Sequence, residues 1–147
     1  MNGTVISHLN AELATTFVLA LNAKRYHWTV TGPHFRDYHL RFEDLYAAAD
    51  GTVDELAERI RMVGGIPLHA PAQIEAQTKA TISNPASRLD PETMLKEALA
   101  NEESTVALMH EGIDLANGTG DPGTADLLTR FVQIHQKEAW FLREMLG

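Results

Sequence analysis

The chain contains no cysteine. Disulfides, thiolate metal sites and cysteine nucleophiles are therefore excluded. The absence is compatible with a reducing cytoplasm, the expected location. Residues 1–10 lack a basic region followed by an apolar stretch, so they do not read as a signal peptide. The most apolar stretch of the first helical segment, 17–21, is far too short to span a bilayer, and no membrane association is expected. A basic arm is missing at both ends: the first basic side chain is Lys24, and residues 144–147 carry none. With a formal net charge of −8, the surface repels nucleic-acid phosphate and attracts cations. No internal repeat or low-complexity tract is evident. What is present, 147 residues with 44% hydrophobic and 22% charged side chains, fits one domain over 1–147.

The periodicity is helical almost throughout. Leu9, Leu13, Phe17 and Leu21 recur every four residues, with Ala20 and Lys24 alongside, predicting a helix over about 10–29. Thr31-Gly32-Pro33 breaks it. Pro33 suits the first turn of a second helix. Phe35, Phe42, Tyr46, Val53, Leu56, Ile60 and Val63 then trace one broad apolar face. Gly64-Gly65-Ile66-Pro67 stops that helix. Gly51 inside it costs ~1 kcal/mol relative to alanine, which predicts a packing reason or a slight bend. Residues 68–90 are polar, include Pro71 and Pro85, and read as a long crossover with one short helix near 72–77. Asp90-Pro91 and Asp121-Pro122 each combine an N-cap with proline at the first helical position. Leu95, Leu99, Val106, Met109 and Ile113 line the third long helix, which ends at 117–120. Leu128, Phe131, Val132, His135, Ala139, Leu142 and Leu146 line the last. Four long amphipathic helices with one long middle connection predict an all-α, ferritin-like four-helix bundle.

Two pairs of side chains carry chemistry. His39 and Glu43 are four apart, as are Asp54 and Glu58, so each pair shares a helix face. Imidazole with carboxylate suits iron and leaves positions open for an oxidant. His27 sits at the end of the first helix. Residues 39 and 54 lie on one helix, about 22 Å apart at ~1.5 Å per residue. One chain cannot bring both pairs to one metal; an antiparallel second copy can. A two-fold interface then carries two such sites. The plain alternative is a solvated carboxylate face with an ordinary histidine. The Glu-x-x-His motif of single-chain di-iron bundles is absent.

The residues also resemble a known family. The segment Ala23-Lys24-Arg25-Tyr26-His27-Trp28-Thr29-Val30-Thr31-Gly32 is similar to the helix-end motif of the Dps proteins (DNA-binding protein from starved cells, the mini-ferritins). His39-Leu40-Arg41-Phe42-Glu43-Asp44-Leu45-Tyr46 continues it, and Asp54-Glu55-Leu56-Ala57-Glu58-Arg59-Ile60 with Gly64-Gly65-Ile66-Pro67 completes it. The motif covers about residues 23–67, and Ala139-Trp140-Phe141-Leu142 extends the likeness. The resemblance implies a hollow homododecamer that oxidises Fe(II), preferentially with hydrogen peroxide, stores ferric mineral and protects against oxidative stress. It implies one or two irons per inter-subunit site, with His27, His39 and position 43 from one subunit and Asp54 and Glu58 from the other. Zn(II) is a possible substitute. Position 43 departs from the family, which usually has aspartate there. The Lys-rich tail that such proteins use to hold DNA is also missing, so DNA binding is not expected.

Other residues have two readings each. Trp28 either packs beside the site and intercepts oxidising equivalents, as the resemblance implies, or simply fills the core. Lys24 and Arg25 are expected in structural ion pairs. His135 is expected to be a hydrogen-bonded core histidine, and His8, His34, His69 and His110 to lie at surfaces or interfaces. The resemblance places Asp121 and Asp126 around a three-fold pore admitting Fe(II); locally, Asp121 caps a helix. Asp44, Asp50 and Glu55 either face a mineral cavity or are merely solvated. Two other functions compete with ferroxidase: a DNA-compacting protein, and a metal-buffering bundle without turnover.

Overall fold

A computed structural model describes residues 3–84 and 88–147. Pro85, assigned above to the crossover, lies outside the described residues, as do Met1 and Asn2 at the start of the segment read for a signal peptide. Five helices follow in order: α1 (Gly3–Thr29), α2 (Phe35–Met62), α3 (Pro71–Gln77), α4 (Pro91–Gly118) and α5 (Pro122–Leu146). No strand occurs among the described residues. α1 pairs with α2 and α4 with α5; α1 also packs on α4 and α2 on α5, closing an all-α four-helix bundle. The short α3 lies against α1, inside the long crossover.

The helix ends follow from local chemistry. Asp90 accepts from Thr93 N at 2.9 Å and Asp121 from Thr124 N at 3.1 Å, each cap followed by proline. α2 ends in a Schellman turn: Gly65 N donates to Ile60 O at 2.8 Å and Gly64 N to Arg61 O at 3.0 Å, with Gly64 at φ +95°. α4 ends the same way, with Gly120 at φ +72° and Asp121 N donating to Ala116 O at 2.8 Å.

Several expectations need correction. α1 begins at Gly3 rather than near residue 10, because Val5 extends the buried stripe of Leu9 and Leu13 backward. Leu21 leaves the core and is 64% exposed. Four residues advance a helix by more than one turn, so a strict four-residue stripe rotates away from its partner. Phe35 is also exposed, standing at the first position of α2. Pro33 lies in the preceding turn, with His34 at the N-cap position. Gly51 has no packing reason within the subunit, since a Cβ there meets nothing within 4 Å, and α2 runs through it. By length and composition α1 is apolar enough to cross a membrane, contrary to the short-stretch expectation; 56% of its apolar window is buried in the bundle.

The interior has two large apolar cores, one at each end, and a smaller third cluster of Val18, Leu19, Ala20, Ala49 and Ala80. Leu9, Leu13, Leu56, Ile60, Met109, Leu128 and Phe131 build one. Tyr26, Phe42, Leu45, Met94, Leu95 and Leu142 build the other. Burying each such side chain stabilises by roughly 1.5–3 kcal/mol. Two buried asparagines fasten the crossover: Asn22 and Asn101 each exchange hydrogen bonds with segment 81–83, at 2.9–3.0 Å.

Candidate metal centre

The turn between α1 and α2 brings His27 against His39. The rings stack with centroids 3.7 Å apart. His27 Nδ1–H donates to the backbone carbonyl of His39 at 2.6 Å, and His39 Nδ1–H donates to that of His27 at 2.7 Å. A carbonyl only accepts, so each Nδ1 carries the proton. In the neutral ring Nε2 is then a bare lone pair, the form a metal requires. Phe35 stacks on the far side of His39 with centroids 4.9 Å apart.

Glu43 stands beside them on α2. Its Oε2 lies 3.4 Å from His27 Nε2 and 2.7 Å from Lys24 Nζ. The Lys24 hydrogen bond holds the Glu43 carboxyl below the usual range. The expected ion pair of Lys24 is thus made with Glu43, and Lys24 also lies over the Tyr46 ring at 4.4 Å. Arg25 donates to Ser83 Oγ at 2.6 Å.

Asp54 and Glu58 are exposed, about three and four turns beyond Glu43 on the same helix. The straight rise of α2 keeps Asp54 about 22 Å and Glu58 about 28 Å from His39 at ~1.5 Å per residue. Among the described residues, no three acidic or histidine side chains of one subunit are gathered to hold a metal. One chain makes the pairwise contacts of His27 with His39 and of His27 with Glu43, short of a gathered trio, and leaves Asp54 and Glu58 apart.

Trp28 is 70% exposed, which removes core packing within the subunit as its role. Asp121 is the α5 cap and also accepts from Arg59 Nη2 at 2.7 Å. Asp126 is exposed and lines a cleft of about 190 Å³ with Glu55, Glu58, Arg59 and Arg130. Glu55 pairs with Arg130, while Asp44 and Asp50 are exposed. His34, His69 and His110 are exposed as expected. His8 departs from that group: it reaches inward, bonding Leu108 O at 2.7 Å, with Glu12 Oε1 at 3.2 Å. His135 is the expected core histidine, 1% exposed and 2.6 Å from Glu102 Oε2. Sequence reasoning missed Glu12 and Glu102 as core residues. The single available signal was their spacing from apolar neighbours, Leu9 and Leu13 for the first and Leu99 and Val106 for the second.

Comparison with known proteins agrees with this architecture. The family model of the ferritin-like domain matches residues 6–147. DNA protection during starvation protein 2 of Bacillus anthracis is 33% identical over 100% of this chain and 99% of its own. The Dps structure from Thermosynechococcus elongatus superimposes with a TM-score of 0.95 at 43% identity, covering 98% of this chain and 90% of that one. The Vibrio cholerae O1 Dps, described as a member of a broad superfamily of ferritin-like diiron-carboxylate proteins, gives a TM-score of 0.92 at 26% identity, covering 98% and 89%. On this evidence the chain belongs to the ferritin-like family and, within it, to the Dps mini-ferritins.

Proposed function

We propose that two copies of this chain form an Fe(II)-oxidising site at a two-fold interface and that the assembly, a hollow dodecamer, stores the ferric product. His27, His39 and Glu43 come from one subunit, and Asp54 and Glu58 from the other. The observation that carries this reading is the reciprocal lock of His27 and His39, which presents two Nε2 lone pairs side by side next to a carboxylate. Such a mixed nitrogen and oxygen donor set suits Fe(II), and the hard carboxylates stabilise Fe(III) as it forms. Zn(II) fits the same donors and is the expected substitute.

In the proposed reaction hydrogen peroxide accepts one electron from each of two Fe(II) ions. Its O–O bond breaks, and two protons complete two waters. Pairing the irons keeps the second electron at hand, so hydroxyl radical is not released. In this reading Trp28, exposed on one subunit, faces the partner beside the site and gives up an electron should a radical form. Asp126 in its cleft is the pore carboxylate that draws Fe(II) inward; Asp121 contributes less, because Arg59 and the helix cap engage it. The net charge of −8 disfavours a DNA complex. Protection of DNA, which the names of relatives mention, follows here from removing iron and peroxide in the cytoplasm.

The test is to mix metal-free protein with Fe(II) and peroxide and to follow ferric absorbance. His27→Ala with His39→Ala should slow oxidation to the rate without protein. An unchanged rate, or a native mass equal to one subunit, would reject the shared site.

A further inference from the structure

With no cysteine in the chain, the sulfur that a peroxide can attack is that of methionine. The methionines are not equivalent. Met94 and Met109 are fully buried, and Met145 is partly buried against the second core. Met62, the last residue of α2, is 70% exposed. It lines the cleft of about 190 Å³ to which Glu58, Arg59 and Asp126 also belong.

A fixed cation stands beside that sulfur. Arg59 lies one turn earlier on α2, and its guanidinium is held by α5. Nε donates to Thr124 Oγ1 at 2.9 Å, and Nη2 donates to Asp121 Oδ1 at 2.7 Å. Residue 123 is glycine, which leaves room for the group: a Cβ there would fall 2.6 Å from Arg59 Nη2. The third edge of the guanidinium is less well served. Nη1 donates to Met62 Sδ at 3.9 Å, and a thioether is only a weak acceptor. A sulfoxide oxygen carries negative charge and accepts strongly. An oxygen added to Sδ on this side closes the gap to an ordinary N–H···O separation of about 2.9 Å. A hydrogen bond from a charged donor is roughly twice as strong as one between neutral groups.

We infer that Met62 is an oxidation site, which hydrogen peroxide converts to the sulfoxide, and that Arg59 Nη1 holds the product. A lone pair of Sδ attacks one peroxide oxygen, and the O–O bond breaks. The proton on the transferred oxygen passes to the departing hydroxide, which leaves as water. The sulfur loses two electrons and the peroxide gains them. Arg59 is a positioning residue: it donates to the transferred oxygen as negative charge builds there. The product ties the end of α2 to the start of α5 through one guanidinium. Methionine sulfoxide is a form that reductases return to the thioether, so the change is a reversible mark of peroxide exposure. The inference goes beyond the iron reading and stands apart from it, since no metal takes part.

The experiment exposes the assembled, metal-free protein to hydrogen peroxide with a chelator present, so that no metal-driven radical contributes. Samples are quenched over time and digested, and the oxygen added at each methionine is read by peptide mass spectrometry. Met62 should gain one oxygen ahead of Met145 and at least about tenfold faster than Met94 and Met109, because exposure governs susceptibility. The unfolding temperature of the oxidised parent should rise, and that of Met62→Leu under the same peroxide should not move. Arg59→Leu should oxidise more slowly at Met62 and lose the rise, whatever its basal stability. If Arg59→Leu does not assemble, the parent and Met62→Leu decide the question by themselves. Oxidation of Met62 no faster than that of Met94 overturns the site and shows that a neighbouring subunit covers the sulfur. A parent whose unfolding temperature stays level or falls once Met62 is oxidised overturns the role of Arg59, leaving the sulfoxide in solvent.

Discussion

Lys24 Nζ lies 3.0 and 2.7 Å from the two carboxylate oxygens of Glu43, so the carboxylate that faces His27 is already occupied by a cation. Any metal ion bound there must displace or share this ammonium. A unit charge at about 5 Å in high dielectric is worth ~1 kcal/mol, or about fivefold in affinity. Lys24→Met should therefore tighten Zn(II) or Fe(II) binding by about that factor, while Glu43→Gln should loosen it. Isothermal titration with Zn(II) reads both. Weaker binding in Lys24→Met would mean that Lys24 orients Glu43 for the metal instead of competing with it.

The cap of α5 makes a pH-dependent contribution. Partial burial alone would raise the Asp121 carboxyl, but hydrogen bonds from Thr124 and Arg59 outweigh it and hold the group below the usual range. A depressed carboxylate stabilises the fold above its unfolded value, near 3.8, and that stabilisation is lost as pH falls through the lower folded value. Asp121→Asn should thus unfold at a lower temperature than the parent at pH 6, by an amount equivalent to about 1 kcal/mol. The gap should close as pH is lowered below 3.8. A gap that stays constant from pH 6 to 2 would show that capping geometry, not charge, is what Asp121 supplies.

Much of the fold could be read from local chemistry. The Asp-Pro starts of α4 and α5 and the Gly64-Gly65 stop are decided within a few residues, and each stands where its sequence places it. Leu21 departs from the expected stripe because a four-residue repeat drifts around a helix, and the drift matters only once the neighbours are known. Glu12 was barely legible, its spacing from Leu9 and Leu13 being the one signal. An acid in an amphipathic pattern reads as solvent-facing, and its burial depends on Gly112, a hundred residues away. The nearness of His27 and His39 was suggested by the turn between them, but the mutual bonds to backbone carbonyls are tertiary facts. Asp54 and Glu58 remain apart from the histidines because the one straight helix α2 carries them away from His39.

Two glycines of α2 and its end should respond oppositely to alanine. At Gly65 a Cβ would sit 2.6 Å from Ile6 Cγ2 and 2.9 Å from Ile60 Cγ2, both in the packed core. Overpacking of this kind costs about 1–3 kcal/mol, so Gly65→Ala should lower the denaturation midpoint. At Gly51 nothing stands within 4 Å, and alanine should stabilise the helix by about 1 kcal/mol. Chemical denaturation of the two variants side by side gives the comparison. A destabilised Gly51→Ala would locate a close contact of α2 with another subunit, since none exists within this one.

Trp28 offers an optical test of the interface itself. It is 70% exposed on one subunit, next in sequence to a ligand of the proposed site. An indole at that exposure emits as if in water; one covered by a partner emits at shorter wavelength. Trp140, the other indole, is 51% exposed, so it is first replaced by phenylalanine to leave Trp28 as the sole reporter. In the assembled Trp140→Phe protein, Trp28 emission should be blue-shifted. Dissociation into folded subunits, by dilution or mild acid with helicity monitored in parallel, should move it to the red. Zn(II) should oppose the dissociation if the metal bridges His27 and His39 on one subunit to Asp54 and Glu58 on the other, because a ligand that binds only the associated state stabilises it by mass action. Emission that is red in the assembly and unmoved by dissociation would put Trp28 in solvent on both sides of the equilibrium, and the two-fold contact would have to be sought on another face.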